Sequence, residues 1–158
     1  MTDARSFAIA AHGDQLYGGA PYETHLQAVV QVVRDFGYGD AFEQAAWLHD
    51  VVEDTAIDLA EIRERFGEEV AAMVDAVTGT GETRADQTGR IYAGLAACPA
   101  AAIVKLADRI ANVEAAPMGS AHAARYRREA EAFAAVVEPR VPPTMWARLT
   151  RALARAEG

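Results

Sequence analysis

Apolar side chains recur at spacings of three and four along most of this chain, and this periodicity constrains the fold more than any other feature. In the segment 22–36, for example, Leu26, Val29, Val30 and Val33 follow the spacing that places side chains on one face of a helix. Runs that alternate β-branched and polar residues, which would indicate strands, are few. The sequence therefore predicts an all-α fold, a compact bundle of roughly eight helices.

Glycine, proline and aspartate residues separate the helical segments. Asp40 and Asp58 are each placed to cap the helix that follows. The segment 78–88 is glycine-containing and polar, and it is predicted to be a flexible loop. The predicted helices cover 4–15, 22–36, a segment from 40, 58–66, 68–77, 89–97, 99–114, 121–137 and 142–156.

The charge balance limits the classes of ligand. The 158 residues suit one domain, and they carry 23 acidic and 15 basic side chains for a formal net charge of −8. A general electrostatic attraction to nucleic acid or to an anionic membrane is therefore not expected. No apolar run is long enough to span a membrane and the N-terminal segment lacks a signal-peptide pattern, so a cytoplasmic location is expected. An anionic small molecule would need local cations or a metal.

The segment 47–55 gathers four titratable side chains. His49-Asp50 precedes Glu53-Asp54, so that on one helix His49 and Glu53 would share a face, as would Asp50 and Asp54. Like charges at this spacing repel each other, and a bound cation would make the arrangement favourable. On this segment alone, a solvated acidic helix end is an equally good interpretation.

Two further segments favour the metal interpretation. His25 lies in the first turn of a helix that otherwise carries packing residues, where a capping or packed histidine is the alternative. Asp108 and Asn112 lie one turn apart on an otherwise apolar helix. A carboxylate that faces a helical core is unfavourable unless it is paired or bound to a metal, so Asp108 is a candidate ligand.

The order His25, His49-Asp50, Asp108, with each motif on a separate predicted helix, resembles the HD-domain phosphohydrolases. In that family two imidazoles and two carboxylates bind one divalent cation. The longer motifs Pro-Tyr-x-x-His, His-Asp-x-x-Glu-Asp-Thr and Lys-Leu-Ala-Asp-Arg-x-x-Asn are similar to the hydrolase domain of the RelA/SpoT enzymes, and the length resembles their small stand-alone alarmone hydrolases. The resemblance implies an HD-type hydrolase domain over 1–138 and a C-terminal helix, 139–158, packed on it.

This resemblance implies hydrolysis of the 3′-pyrophosphate of the guanosine alarmones ppGpp and pppGpp, which gives GDP or GTP and pyrophosphate. It implies one divalent cation per chain, Mn²⁺ with Fe²⁺ or Zn²⁺ as alternatives, and activation of water by Glu53 and Asp54. The implied metal ligands are His25, His49, Asp50 and Asp108. The expected substrate contacts are Asn112, Tyr17, Lys105, Arg109 and Tyr126 with Arg127 or Arg128.

One position departs from the family pattern. The loop before Pro-Tyr-x-x-His usually carries an Arg-Lys pair, and here Leu16 and Tyr17 stand at the corresponding places. Tyr17 can stack on a base, whereas Leu16 cannot form a cation–π contact. Two alternatives therefore stay open: hydrolysis of another phosphorylated nucleotide, such as NADPH at its 2′-phosphate, and nucleotide binding without catalysis. In each case the expected partner is a small phosphorylated nucleotide, and a homo-oligomer is compatible with the sequence.

Overall fold

The computed structural model describes residues 3–158, and over that range the protein is built almost entirely of α-helices. The only strands in this range are β1 (Leu16–Tyr17) and β2 (Ala20–Pro21), which form a two-stranded antiparallel hairpin. The helices are α1 (Ala4–His12), α2 (Glu23–Asp35), α3 (Asp40–Leu48), α4 (Val51–Asp54), α5 (Leu59–Phe66), α6 (Glu68–Val77), α7 (Arg84–Ala97), α8 (Ala101–Ala115), α9 (Ala121–Val137) and α10 (Pro143–Glu157), with a 3₁₀ turn at Glu138–Arg140. The predicted all-α class is confirmed.

Helix α8 forms the centre of the bundle, in contact with α2, α3, α6, α9 and α10. Its apolar side chains point in several directions, which is typical of a helix that is surrounded by others. Leu106 and Ile110 are fully buried, and Asp108 and Arg109 are buried with them despite their charges. The central position of α8 thus carries a carboxylate and a guanidinium into the interior. No helix in the described part of the chain is long and apolar enough to span a membrane.

The capping predictions have mixed outcomes. Asp58 caps α5 as predicted, because its side chain accepts a hydrogen bond from the backbone N–H of Glu61. The prediction for Asp40 was wrong: Gly39 is the N-cap of α3 and Asp40 is the first helical residue. An acidic side chain in the first turn still interacts favourably with the helix dipole, so Asp40 stabilises α3 from this position although it is not the N-cap.

The segment 78–88 is not a loop throughout, because α7 begins at Arg84, five residues before the predicted start. Thr83 and Asp86 form a capping box in which each side chain accepts a hydrogen bond from the backbone N–H of the other. This box satisfies two backbone donors at the start of the helix and thereby extends it towards the loop. Arg84 consequently has a fixed place in the fold.

A β-hairpin occupies the place of the loop that the family pattern puts before Pro-Tyr-x-x-His. Leu16 pairs with Pro21 and Tyr17 pairs with Ala20. Gly18, at the turn, has a φ of +59°, in the left-handed region where glycine is favoured. The hairpin holds Tyr17 against the helical bundle.

The C-terminal helix α10 packs against α8 and α9 through Met145 and Leu149, which are almost fully buried. Arg148 adds polar contacts along the same helix. It donates two hydrogen bonds to Glu114 at the end of α8, of 2.8 and 3.1 Å, and one of 2.7 Å to Asp35 at the end of α2. One arginine therefore joins three helices.

Replacing Arg148 with alanine is expected to lower the free energy of unfolding by about 1 kcal/mol, since a bidentate arginine network exceeds an isolated surface pair. For a chain of this length, the unfolding midpoint should fall by about 2–4 °C. Thermal unfolding followed by circular dichroism measures the change. Arg151→Ala, an exposed arginine on the same helix, is the matched control and should leave the midpoint nearly unchanged.

Candidate metal centre

Three chain segments meet at the candidate metal centre. His25 lies in the first turn of α2, His49 and Asp50 lie between α3 and α4, and Asp108 lies in the middle of α8. His49 and Glu53 do not lie on one continuous helix, the arrangement considered from the sequence, because α3 ends at Leu48 and α4 begins at Val51. Neighbouring side chains on a straight helix diverge by about 100°. The interruption lets His49 and Asp50 face the same point.

Four side-chain atoms converge there. Asp50 Oδ2 lies 3.0 Å from His49 Nε2 and 3.6 Å from His25 Nε2. Asp108 Oδ1 lies 3.2 Å from His25 Nε2 and 3.4 Å from His49 Nε2. Ligand atoms that each lie about 2.1 Å from one cation are separated from one another by roughly 3–4 Å. The observed separations between histidine nitrogens and carboxylate oxygens lie in that range. The ligand atoms of His25, His49 and Asp108 all lie within 4.8 Å of one another, a group that does not include Asp50.

The hydrogen bonds of His49 show that the donor set fits a divalent cation. His49 Nδ1 lies 2.7 Å from the backbone oxygen of Ala46, which fixes the ring and assigns the proton to Nδ1. Nε2 is then a buried acceptor that faces only the carboxylate oxygens of Asp50 and Asp108, which are acceptors too, so no hydrogen bond satisfies it in the part of the chain that the structure describes. Two imidazole nitrogens and two carboxylate oxygens that face one another suit a divalent first-row metal ion. These residues could bind such an ion.

The electrostatics of the cluster favour positive charge. Burial alone would lower the pKa of His25 and His49, but their contacts with Asp50 and Asp108 outweigh it and raise both pKa values. Burial would likewise raise the pKa of Asp108, but Lys105 and the two histidines hold it well below its usual range. The carboxylates are therefore ionised and attract a cation.

A second set of side chains holds the candidate ligands. The hydroxyl of Tyr22 donates to Asp50 Oδ2 at 2.6 Å, and Lys105 Nζ donates to Asp108 Oδ2 at 2.9 Å. Asn112 Nδ2 donates to the other oxygen of Asp108 at 2.7 Å. Sequence reasoning missed the contact made by Tyr22, although its place three residues before His25 was a signal. Contacts of this kind orient metal ligands in other proteins.

The hairpin residue Tyr17 covers His25. The two rings are stacked with centroids 4.6 Å apart and planes 9° from parallel. The Tyr17 hydroxyl donates to Asn112 Oδ1 at 2.7 Å, so Tyr17 joins the hairpin to α8. Burial, with the charges of Tyr126, Asp108 and Asp50, raises the pKa of Tyr17 to about 12. Its hydroxyl is accordingly a hydrogen-bond donor at neutral pH.

The cluster opens into a cavity of about 160 Å³ between the helices. Its lining residues are Tyr17, Tyr22, His25, Asp50, Glu53, Val77, Arg84, Lys105, Asp108, Arg109, Asn112 and Tyr126. Two larger surface clefts, of about 500 and 440 Å³, contain none of the predicted site residues. Most of the predicted site residues are thus brought together at one cavity.

Glu53 and Asp54 are adjacent in sequence, but only Glu53 lines the cavity. Glu53 Oε1 accepts a hydrogen bond of 2.7 Å from the backbone N–H of Gly79. A Cβ at position 79 would lie 2.6 Å from that oxygen, so a larger residue there would displace the Glu53 carboxylate. Although Glu53 is exposed at the surface, partial desolvation on the cavity side and the charge of Asp50 raise its pKa. Asp54 is exposed beside the cavity, where its Oδ2 accepts from Gln15 Nε2 at 3.0 Å.

The predicted substrate contacts on α9 also differ in where they lie. Tyr126 is buried against the cavity and lies over the guanidinium of Arg109, 4.8 Å from ring centroid to Cζ. Arg127 is exposed, does not line the cavity, and pairs with Glu157 at 2.8 Å. Arg84, which sequence analysis assigned to a loop, does line the cavity because the capping box fixes the start of α7. The Thr83–Asp86 pair was the signal for it.

The fold and the site define a helical protein with a candidate centre of two histidines and two aspartates. A family model described as "HD domain" matches residues 4–136, and the chain belongs to that family. It is 39% identical over 116 residues to a probable guanosine-3′,5′-bis(diphosphate) 3′-pyrophosphohydrolase of Synechocystis, and 34% identical over 118 residues to a GTP pyrophosphokinase of Streptomyces coelicolor. These matches cover 68% and 69% of this chain but 15% and 14% of the relatives. The predicted homology to RelA/SpoT hydrolases is confirmed.

The fold also matches a solved structure. A metazoan orthologue of SpoT, described as hydrolysing ppGpp, superposes with a TM-score of 0.75 at 24% identity. The match covers 98% of this chain and 93% of the orthologue, so that the two folds correspond over almost their whole lengths.

Proposed function

We propose that this chain is a metal-dependent phosphohydrolase that removes the 3′-pyrophosphate of ppGpp and pppGpp and releases pyrophosphate with GDP or GTP. The observation that carries the proposal is the convergence of the His25, His49, Asp50 and Asp108 ligand atoms at a cavity with Glu53 on its wall. The Synechocystis relative, whose name states this reaction, supports it. In this proposal residues 1–138 form the hydrolase domain, and 139–158 belong to the same domain.

The proposed resident ion is one Mn²⁺ per chain, with Fe²⁺ or Zn²⁺ as alternatives, because all three accept mixed nitrogen and oxygen ligands. When bound, such an ion polarises a phosphate oxygen and lowers the pKa of a coordinated water. The proposed role of Glu53 is to accept a proton from the attacking water, since a carboxylate with a raised pKa is a stronger base than an ordinary one. Asp54, held by Gln15, is the proposed second carboxylate.

The proposed substrate contacts surround this centre. Lys105 and Arg109 place positive charge on the cavity wall, where they would neutralise phosphate oxygens. Asn112 and Tyr17 form a hydrogen-bonded pair that would face the sugar or the base. Tyr126 is a proposed contact as well, whereas Arg127 would have to leave Glu157 before it could reach a substrate.

A second candidate function keeps the site and changes the nucleotide. The observation that favours it lies in the hairpin, where Leu16 is 61% exposed and the ring of Tyr17 is already stacked on His25. Neither residue offers a cation to a guanine base. Removal of the 2′-phosphate from NADPH is the specific alternative, and it would release phosphate instead of pyrophosphate.

The two functions are separated by their products. Purified protein is incubated with Mn²⁺ and, in parallel, with ppGpp, pppGpp, NADPH and GTP, and phosphate and pyrophosphate are measured separately. The proposal predicts pyrophosphate from the two alarmones and little product from the others. Phosphate from NADPH at a higher kcat/KM would favour the second function. Tight ppGpp binding without turnover would favour a non-catalytic domain.

The metal should also stabilise the fold, because its ligands come from segments that are far apart in the unfolded chain. At a free Mn²⁺ concentration 100 times the dissociation constant, binding adds about 2.7 kcal/mol to the free energy of unfolding. The unfolding midpoint should then rise by about 5–10 °C. Differential scanning calorimetry with and without a chelator measures this shift. An equal shift with Ca²⁺, which prefers oxygen ligands, would contradict a site that contains two imidazoles.

A further inference from the structure

Two arginines that line the cavity at the candidate metal centre both contact Glu129. Arg84, at the start of α7, donates to both carboxylate oxygens of Glu129 on α9, at 2.5 and 2.9 Å. Arg109 on α8 lies 3.1 Å from the second of these oxygens. The guanidinium of Arg109 is buried and lies 4.2 Å from the ring centroid of Phe133. Glu129 is therefore held by guanidiniums from two other helices.

The same arginines line two adjoining cavities. The cavity at the candidate metal centre shares Glu53, Arg84, Lys105 and Arg109 with a neighbouring space of about 90 Å³ that extends along α7. Gln87 and Thr88 lie on the far wall of this second space and offer further hydrogen-bonding groups. Three cationic side chains, Arg84, Lys105 and Arg109, therefore line both cavities. Glu129 pairs with two of them, Arg84 and Arg109.

This arrangement is the chemistry that binds a phosphoryl group. A guanidinium that binds a carboxylate through two parallel hydrogen bonds can bind a phosphate group in the same geometry. A terminal phosphoryl group carries more negative charge than one carboxylate, and it offers three oxygens instead of two. The Arg84 side chain is 47% exposed, so water screens its bond to Glu129 and leaves that bond exchangeable. The buried Arg109 would stay in place during such an exchange.

We propose that Arg84 and Arg109 form a phosphoryl-binding subsite beside the metal centre, and that Glu129 sets its affinity by holding both guanidiniums until a substrate phosphoryl group displaces it. Glu129 is then a specificity-determining residue, since a ligand must carry enough negative charge to outcompete a carboxylate of the protein itself. The proposal rests on the proposed function only for the identity of the substrate. The subsite can be tested with an inorganic anion.

The test is the binding of inorganic phosphate to the full chain, measured by isothermal titration calorimetry at constant metal content. Glu129→Gln removes the competing charge while it keeps the size of the side chain. The dissociation constant of phosphate should fall at least threefold. Glu131→Gln removes the same charge from an exposed position on the same helix, and it is expected to leave the dissociation constant unchanged. Equal or weaker phosphate binding by Glu129→Gln would overturn the proposal.

A second variant keeps the test decisive if Glu129→Gln is poorly folded. Arg84→Ala should weaken phosphate binding at least threefold, and in that background the further change Glu129→Gln should have less effect than in the wild type. Wild-type affinity in Arg84→Ala would also overturn the proposal. If the variants behave as expected while ppGpp is not hydrolysed, the proposed function fails and the subsite stands. If ppGpp is hydrolysed but Glu129→Gln does not change phosphate binding, the proposed function stands and the subsite proposal fails.

Discussion

Asp108→Ala is expected to abolish hydrolysis and to remove the bound metal, with kcat reduced by about 10³-fold or more. Asp108 Oδ1 faces both histidines, so its loss opens the centre on the side of α8. Lys105 and Asn112 also lose the carboxylate that they contact. The measurements are kcat with ppGpp and the metal content of the purified variant by atomic emission spectroscopy.

Asp40→Ala is the matched control for this variant. Asp40 is exposed in the first turn of α3, at the opposite end of that helix from His49. The Asp40→Ala variant should keep the metal and the wild-type kcat. The ligand assignment would be contradicted if Asp108→Ala kept one metal ion per chain and a rate within tenfold of the wild type.

Glu53→Gln is expected to lower kcat by about 10²- to 10⁴-fold, which is the range for loss of a general base, while metal content and KM change little. Glutamine has the same shape and retains an oxygen that accepts the hydrogen bond from Gly79, so the backbone at that point should be undisturbed. What the variant loses is the group that accepts a proton. Steady-state kinetics on ppGpp separates kcat from KM.

Glu64→Gln, an exposed glutamate on α5, makes the same chemical change away from the cavity and should behave as wild type. A Glu53→Gln variant with full metal content and a kcat within threefold of the wild type would exclude Glu53 as the base. A variant whose activity loss equals its metal loss would show instead that Glu53 supports metal binding.

Most helices of this structure could be predicted from the sequence, because the signals that begin and end a helix are local. Helix α9 begins and ends at the predicted residues, 121 and 137, and Asp58 caps α5 because one side chain and one nearby backbone N–H suffice. The break between Leu48 and Val51 is not local in origin. It lets two adjacent side chains face His25 and Asp108, which lie far away in sequence, and no periodicity reports that requirement.

The candidate site divides in the same way. The motifs identified the four proposed ligands, since each motif is short and contains its own landmark. Lys105 and Arg109 were predicted from their motif, but the place of Arg84 could not be, because Arg84 and Glu129 are 45 positions apart and meet only after α7 and α9 pack together. Arg109 shows a related limit, because its burial against Tyr126 and Phe133 depends on packing between α8 and α9.

The net charge of −8 acquires a structural meaning from this arrangement. Four acidic residues, Asp50, Glu53, Asp54 and Asp108, lie at or beside one cavity, and the proposed cation would offset part of their charge. Arg84, Lys105 and Arg109 line the same cavity and gather positive charge in one place. An acidic protein can thus present a local surface that attracts a phosphorylated nucleotide while its net charge repels nucleic acid.

The most direct test of the central claim is the stoichiometry of products from ppGpp. Metal-loaded protein is mixed with ppGpp, and the nucleotide and the released phosphates are quantified by ion-exchange chromatography at several times. The account predicts GDP and pyrophosphate in equal amounts, in a reaction that stops when a chelator removes the metal. Absence of both products from protein shown to hold one metal ion per chain would contradict it.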